Sequence, residues 1–254
     1  MSNQEITSAV FALTPSESKR LIARAVAALP EVQRAMERGQ IIIANGTTNA
    51  FVAEELLGVP VPKVRFAAGV ISEGVLVVRR SEERLPPYVL RDGEPVDLPM
   101  REALLEFEAD DVFIKGANAV DPQGNVGILM SHDRGGTIGM ALGIVVARGA
   151  HLIAPVGLEK LIPSVPEASR HCGQLRQKYH LGNPVGLMPL VNARLITEVQ
   201  ALEILTGVQA THVASGGING SEGAVVLVAE GPEEEVARAF RLVEGIKGEP
   251  PVRA

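Results

Sequence analysis

DDVFIKGANAVDPQGNVGILMSHDRGGTIG, residues 110–139, decides how the rest of the chain is read. Val112, Phe113 and Ile114 form a short apolar run of the kind that makes a buried strand. Lys115, Gly116, Asn118 and Asp121 follow on a segment of small residues, and Pro122-Gln-Gly124 signals a turn. Gly135, Gly136 and Thr137 then open an apolar helix predicted over residues 137–147, and HLIAPV at 151–156 predicts the next strand. Strand, loop, helix and strand in this order predict neighbouring parallel strands. Such sheets bind ligands just past the carboxyl ends of the strands, beside helix N-termini.

The pattern is prefigured upstream. Gln40 to Ala44 reads QIIIA, and three consecutive apolar residues mark a strand buried on both faces. Asn45, Gly46, Thr47, Thr48 and Asn49 come next, ahead of a helix predicted over residues 51–57. This loop is either an anion cradle of backbone N–H groups or an ordinary turn whose Thr47, Thr48 and Asn49 only cap the helix. Gly135, Gly136 and Thr137 form the second expected anion site. Lys115 is read as an anion contact or a base shifted by burial, with a lysine snorkelling at a strand end as the alternative. Asn118 and Asp121 either meet ligand hydroxyls or close the turn at Pro122, and His132-Asp133 reads as an exposed loop pair, with proton shuttling as the alternative.

Working outward, residues 1–13 are expected to be an N-terminal arm. A helix then begins at Thr14 with Pro15 at its first position and Glu17 completing a capping box, and a second helix covers residues 31–37. Two extended runs flank Ser72-Glu73-Gly74, a second hairpin turns at Asp92-Gly93, and a helix runs from Pro99 to Asp110. Residues 164–191 read as a solvated connection over the sheet, and residues 192–205 as one helix. Two strands around a glycine-rich turn (residues 215–223) and a helix from Pro232 complete a small α+β unit. The expected organisation is an N-terminal helical segment (1–39), an α/β ligand-binding core (40–160), a long connection (161–196) and the C-terminal unit (197–254).

Composition narrows the function. The chain is 46% apolar but only 3% aromatic, without tryptophan, so its core is aliphatic. One cysteine, Cys172, excludes an internal disulfide framework and fits a reducing, cytoplasmic compartment. A formal charge of −6 speaks against nucleic acid. Residues 1–15 lack a signal-peptide pattern, and Arg148 interrupts the most apolar window, so no membrane partner is expected. The five histidines and single cysteine show no metal-ligand spacing, so neither a metal nor another cofactor is expected. The expected partner is a small anionic metabolite, with self-association of the chain as a further expectation.

Two runs carry a family resemblance. IIIANGTTNAFVAEELLG, residues 41–58, resembles the phosphate loop of ribose-5-phosphate isomerase, a strand followed by Gly-Thr-Gly-Ser-Thr-Ala and a helix. DVFIKGANAVDPQGNVGI, residues 111–128, resembles that enzyme's catalytic segment, Asp-Gly-Ala-Asp-Glu-Val-Asp-Pro. Over residues 40–160 the chain is thus similar to the superfamily of ribose-5-phosphate isomerase, glucosamine-6-phosphate deaminase and the CoA transferases. The second run is also similar to methylthioribose-phosphate isomerases and lactate-utilisation proteins. The resemblance implies a Rossmann-like α/β parallel-sheet fold and a pocket for a phosphorylated sugar-like or nucleotide-like metabolite. Where the sugar isomerase has its two aspartates, this chain has Lys115 and Asn118, and an uncharged asparagine cannot act as general base. Only Asp121 keeps a carboxylate of that run, so Lys115 and Asp121 are the catalytic residues the resemblance leaves. Glu222 resembles the glutamate of the CoA-transferase loop, against a plain glycine-rich turn. Isomerisation, acyl or CoA transfer, and ligand sensing without turnover all remain open.

Overall fold

The computed structural model describes residues 6–253. Of the expected N-terminal arm, residues 1–5 lie outside the described residues, and the rest is strand β1 (Ile6–Leu13), with Phe11 and Leu13 buried and Ile6 and Val10 exposed on the opposite face. Helix α1 (Pro15–Ala27) starts as expected: the Thr14 N–H donates to Glu17 Oε2 at 2.8 Å and the Glu17 N–H to Thr14 Oγ1 at 3.4 Å. Helix α2 (Pro30–Glu37) leads to β2 (Gln40–Ile43). Helix α3 (Thr47–Leu57) begins earlier than the sequence suggests, so Thr47, Thr48 and Asn49 are its first turn, not the loop before it.

The short helix α4 (Lys63–Phe66) replaces only the start of the first expected extended run. The hairpin β3 (Gly69–Ser72)–β4 (Val75–Val78) turns through Glu73 and Gly74, both left-handed at φ 51° and 78°. Strands β5 (Tyr88–Arg91) and β6 (Glu94–Pro95) turn likewise through Asp92 and Gly93. There follow α5 (Met100–Glu106), β7 (Val112–Ile114), β8 (Ala119–Val120), β9 (Val126–Met130), α6 (Gly136–Arg148) and β10 (His151–Pro155). The expected solvated connection contains α7 (Val165–His171) and β11 (Gly186–Leu190), and β11 pairs antiparallel with β9. Residues 192–205 are not one helix. Strand β12 (Arg194–Ile196) comes first, and a capping box of Thr197 with Gln200 starts α8 (Glu198–Thr206). The chain closes with β13 (Gln209–Gly216), β14 (Ala224–Pro232) and α9 (Glu233–Glu244).

The main sheet has six strands in the order β12-β10-β7-β2-β5-β6. The first four run parallel, and β5 and β6 each join antiparallel, so the fold is mixed α/β with a mixed sheet instead of the parallel sheet expected. Alternate residues of the central strands feed separate cores. Ile41, Ile43, Val112, Ile114 and Ile153 pack with α1, α3 and α8, whereas Ile42, Ala44, Phe113, Leu152 and Ala154 pack with α5 and α6. This is why the QIII run carries no polar alternation. Each Val, Leu, Ile or Phe side chain so withdrawn from water contributes about 1.5–3 kcal/mol. A three-stranded sheet, β1-β14-β13, joins the N-terminal strand to the C-terminal unit.

Outside these cores the β3–β4 hairpin is fastened to the 182–183 segment. The Asn183 N–H donates to the Leu76 carbonyl at 2.7 Å, and Asn183 Oδ1 accepts from the Val78 N–H at 3.0 Å. Gly182 sits at φ +80°, where an added Cβ would overlap the Leu76 carbonyl oxygen. Gly182→Ala is therefore expected to release the hairpin. Hydrogen exchange at the Asn183 amide should speed up at least ~10-fold while β2 and β7 stay protected, and unchanged exchange at Asn183 would show that the close approach is not essential.

Candidate functional site

Parallel pairing in register sets Ile43 beside Ile114 and Ile114 beside Ile153, so the segments leaving β2, β7 and β10 emerge on one edge of the sheet. A cleft of about 1420 Å³ lies there. Its lining includes Asn45, Gly46, Thr47 and Thr48 from the first segment, Lys115, Gly116 and Asn118 from the second, and Lys160 from the third. Gly135, Gly136 and Thr137 at the start of α6 border the same space.

Two helices that open on glycine, α3 at Gly46 and α6 at Gly135, face this cleft without a side-chain cap. The first amides of a helix have no partner within it, so uncapped starts present N–H donors with a positive dipole end. By contrast α1, whose first turn also borders the cleft, is closed by its capping box. The buried Thr48 hydroxyl, also on the α3 start, has no partner among the described residues. Lys115 and Lys160 add positive charge. Lys115 Nζ donates to the Asn45 carbonyl at 3.2 Å, and Lys160 Nζ to the Ala117 carbonyl at 2.8 Å. Burial, and secondly the charge of Lys160, lower the Lys115 pKa to about 8. Burial also lowers Lys160, but the charges of Glu159 and Glu198 oppose the fall.

Four named residues hold the site in shape. Asn45 lines the cleft, but its side-chain amide donates to the Phe66 and Leu85 carbonyls at 3.2 and 2.9 Å. Asn118 Oδ1 accepts from the Leu129 N–H at 3.0 Å. Asn49, expected among the ligand contacts, is fully buried beneath Gly116 and lies outside the lining; its Nδ2 donates to the Ala44 and Ile114 carbonyls and stitches the ends of β2 and β7 together. Asp121, expected as a catalytic carboxylate, also lies outside the lining. Its oxygens accept from the Gln123, Asn125 and Val165 N–H groups and from Asn125 Nδ2, so it closes the turn between β8 and β9 and anchors the start of α7.

No protein-family model and no curated protein matches the chain. One solved structure is similar. It is a D-ribose-5-phosphate isomerase in complex with phospho-erythronic acid, at 16% identity and a TM-score of 0.34, with 85% of this chain and 80% of that chain covered. A likeness that slight carries no conclusion about chemistry.

Sequence reading missed the third segment. Glu159 pairs with Lys19 of α1 at 3.1 Å, next to Lys160, and Glu198 lies fully buried behind them, its Oε2 accepting from the Leu158 N–H at 2.9 Å. Burial pushes the Glu159 carboxyl up, but Lys19 and Lys160 outweigh it and hold its pKa low. The available signal was Gly157-Leu-Glu-Lys160 in the loop after the strand HLIAP, as Lys115 stands in the loop after β7. Glu222 also reaches the cleft, exposed on the turn between β13 and β14, with Oε2 accepting from the Gly220 N–H at 2.9 Å. Among the described residues no cluster of three His, Cys, Asp or Glu side chains could hold a metal, and no helix is long and apolar enough to cross a membrane.

Proposed function

We propose that the cleft binds a phosphorylated metabolite, sugar-like or nucleotide-like, with its anionic group held between the α3 start, the α6 start and the amines of Lys115 and Lys160. The observation that carries this reading is the convergence of two uncapped helix starts and two lysines on one cavity. Each feature alone has a structural explanation; together they make a concentrated positive field at a concave surface. Thr47, Thr48, Gly136 and Thr137 supply donors, and Gly116 keeps the backbone low beside Lys115. The volume exceeds the ~300–1,000 Å³ usual for small-molecule sites, which leaves room for a nucleotide-sized group beyond the phosphate.

Thermal unfolding with ribose 5-phosphate, ATP and coenzyme A, each against its dephosphorylated counterpart, tests the reading. Stabilisation is expected from phosphorylated compounds alone. Lys115→Met should weaken it by at least ~30-fold in affinity, because truncating one side of a desolvated ion pair costs about 2–5 kcal/mol. Equal stabilisation by the phosphate-free partners would remove anion binding from the cleft. Glu222 on the same cleft favours acyl transfer as a second reading, in which its carboxylate would attack an acyl-CoA. On that reading an acyl-CoA leaves a hydroxylamine-sensitive adduct on the protein that Glu222→Gln lacks.

A further inference from the structure

Lys115 has an unusual position among the six lysines of the chain. Lys19, Lys63 and Lys247 each form an ion pair with a glutamate, Lys160 lies beside Glu159, and Lys178 stands exposed over the Tyr179 ring. Lys115 instead lines the cleft with a backbone carbonyl as its hydrogen-bond acceptor and another ammonium group as its charged neighbour. An amine in that setting gains nothing from being charged when the cleft is empty.

We propose that Lys115 is a nucleophile that forms an imine with a phosphorylated aldehyde or ketone bound in the cleft. The substrate class rests on the anion-binding reading above, with the phosphate of the reacting complex on the two helix starts and Lys160 and the carbonyl carbon turned to Lys115; the nucleophile does not. Three lysines line the cleft, and Lys19 is paired with Glu159, so the choice of nucleophile lies between Lys115 and Lys160. Glu159 favours the charged form of Lys160, whereas no carboxylate is paired with Lys115 among the described residues. A proton leaving the pair therefore leaves from Lys115, and Lys160 stays an ammonium. Burial and this neighbour bring the Lys115 pKa to about 8, so about a tenth of the molecules carry a free amine at neutral pH, against fewer than about one in a thousand for an ordinary lysine.

In the step, the Lys115 Nζ lone pair attacks the carbonyl carbon and the C=O π pair moves to oxygen. That oxygen takes up the proton released by nitrogen, giving a carbinolamine. The C–O bond then breaks as nitrogen forms C=N; the hydroxyl leaves as water with a proton donated by the Lys160 ammonium, which is recovered from solvent. The product is a protonated imine, and no oxidant or reductant takes part. An adjacent ammonium that lowers the nucleophile's pKa and protonates the leaving hydroxyl is the arrangement this chemistry needs.

Glyceraldehyde 3-phosphate and glyceraldehyde are incubated with the full chain, sodium borohydride is added, and the adducts are located by peptide mass mapping. With the phosphorylated aldehyde, reduced adduct is expected on Lys115 at least ten-fold ahead of any other lysine. The rate should rise about ten-fold per pH unit and level off above about 8. Lys115→Arg keeps a positive charge and should lose the adduct. Lys160→Met should form the adduct more slowly, having lost the proton donor, and with the pH inflection moved upward, a shift that a merely structural Lys160 would not produce. Labelling of exposed Lys178 at the same rate as Lys115 would overturn the nucleophile. If Lys115 stays unlabelled while inorganic phosphate still stabilises the protein, the imine fails and anion binding stands. If glyceraldehyde labels Lys115 as fast as its phosphate ester, the imine stands and the anion-binding reading fails.

Discussion

Asp121→Ala should destabilise the protein by about 3 kcal/mol or more while leaving ligand affinity within a few-fold of wild type. The carboxylate is almost fully buried and accepts four hydrogen bonds, from the Gln123, Asn125 and Val165 N–H groups and from Asn125 Nδ2, at 2.9–3.1 Å. Removing the acceptor orphans all four donors at once. Each buried, unsatisfied donor costs about 1–3 kcal/mol, less where water can reach it, as it can near the exposed Gln123. Burial raises the Asp121 carboxyl, but its hydrogen bonds to Asn125, Val165 and Gln123 outweigh burial and hold the pKa below the usual carboxylate value. A depressed carboxylate contributes stability that is complete above its unfolded pKa, about 4, and is lost as pH falls through the folded value. The gap between wild type and variant in urea unfolding should therefore be widest near neutral pH and narrow below about pH 4. Asp121→Asn should fall between the two, since its amide nitrogen must face at least one of the same donors. A variant of wild-type stability that has lost ligand binding would reverse this assignment and put the carboxylate in the site.

Asp121 also shows what the sequence could and could not tell. Val-Asp-Pro followed by Gln-Gly-Asn marks a turn by local chemistry alone, and the turn is present. Whether the carboxylate faces a ligand depends on where Val165 lies, 44 residues further on, and nothing local encodes that. The same division runs through the fold. The QIII strand, the α1 capping box and the Asp92-Gly93 turn are legible because their causes lie within a few residues. Strand β1 was missed although ITSAVFAL alternates in burial, because the sheet that gives it a face is completed by β14, with Ile6 opposite Pro232. Strand β12 has three residues and was absorbed into the helix after it, because Thr197 and Gln200 act as a cap only if the chain before them is extended.

The site divides the same way. Lys115, Gly46 to Thr48 and Gly135 to Thr137 are strand ends and helix starts, places where a ligand is expected whatever the fold. Asn49 had the right composition for a ligand contact, but a helix starting at Thr47 turns its side chain inward to two strand carbonyls. Lys160 and Glu198 enter only once β10 is placed beside β7 in parallel register and the start of α8 meets the segment after β10, since no pattern in the chain links 115, 160 and 198.

Glu198 supplies the prediction of opposite sign. Glu198→Gln is expected to make the protein more stable above pH 7, by an amount on the order of 2–3 kcal/mol, and to flatten its stability between pH 5 and 8. The side chain has no exposure, and burial, reinforced by the negative charge of Glu159, raises its pKa to about 7. Oε2 accepts from the Leu158 N–H, but Oε1 has no partner among the described residues, nor have Glu159 Oε2 or Ser18 Oγ nearby. Both orphan carboxylate oxygens lie where a Cβ on Gly157 would project, so only glycine leaves them room. A proton on Glu198 Oε1 relieves this crowding by giving one of the other acceptors a donor. A carboxyl whose folded pKa is raised contributes stability that is complete below its unfolded pKa, about 4.3, and lost as pH rises through about 7. Glutamine keeps an acceptor for Leu158 and a donor for the orphan oxygens at every pH, so the alkaline loss disappears. Glu159→Gln should do the reverse and destabilise near neutral pH, because its pKa is held low by Lys19 and Lys160, whose charges would then stand unopposed. Guanidinium unfolding of both variants at pH 5 and pH 8 separates the two carboxylates. If Glu198→Gln proves less stable than wild type at pH 8, the native fold favours the Glu198 carboxylate instead of opposing it, and Lys160 and the Leu158 N–H outweigh its burial.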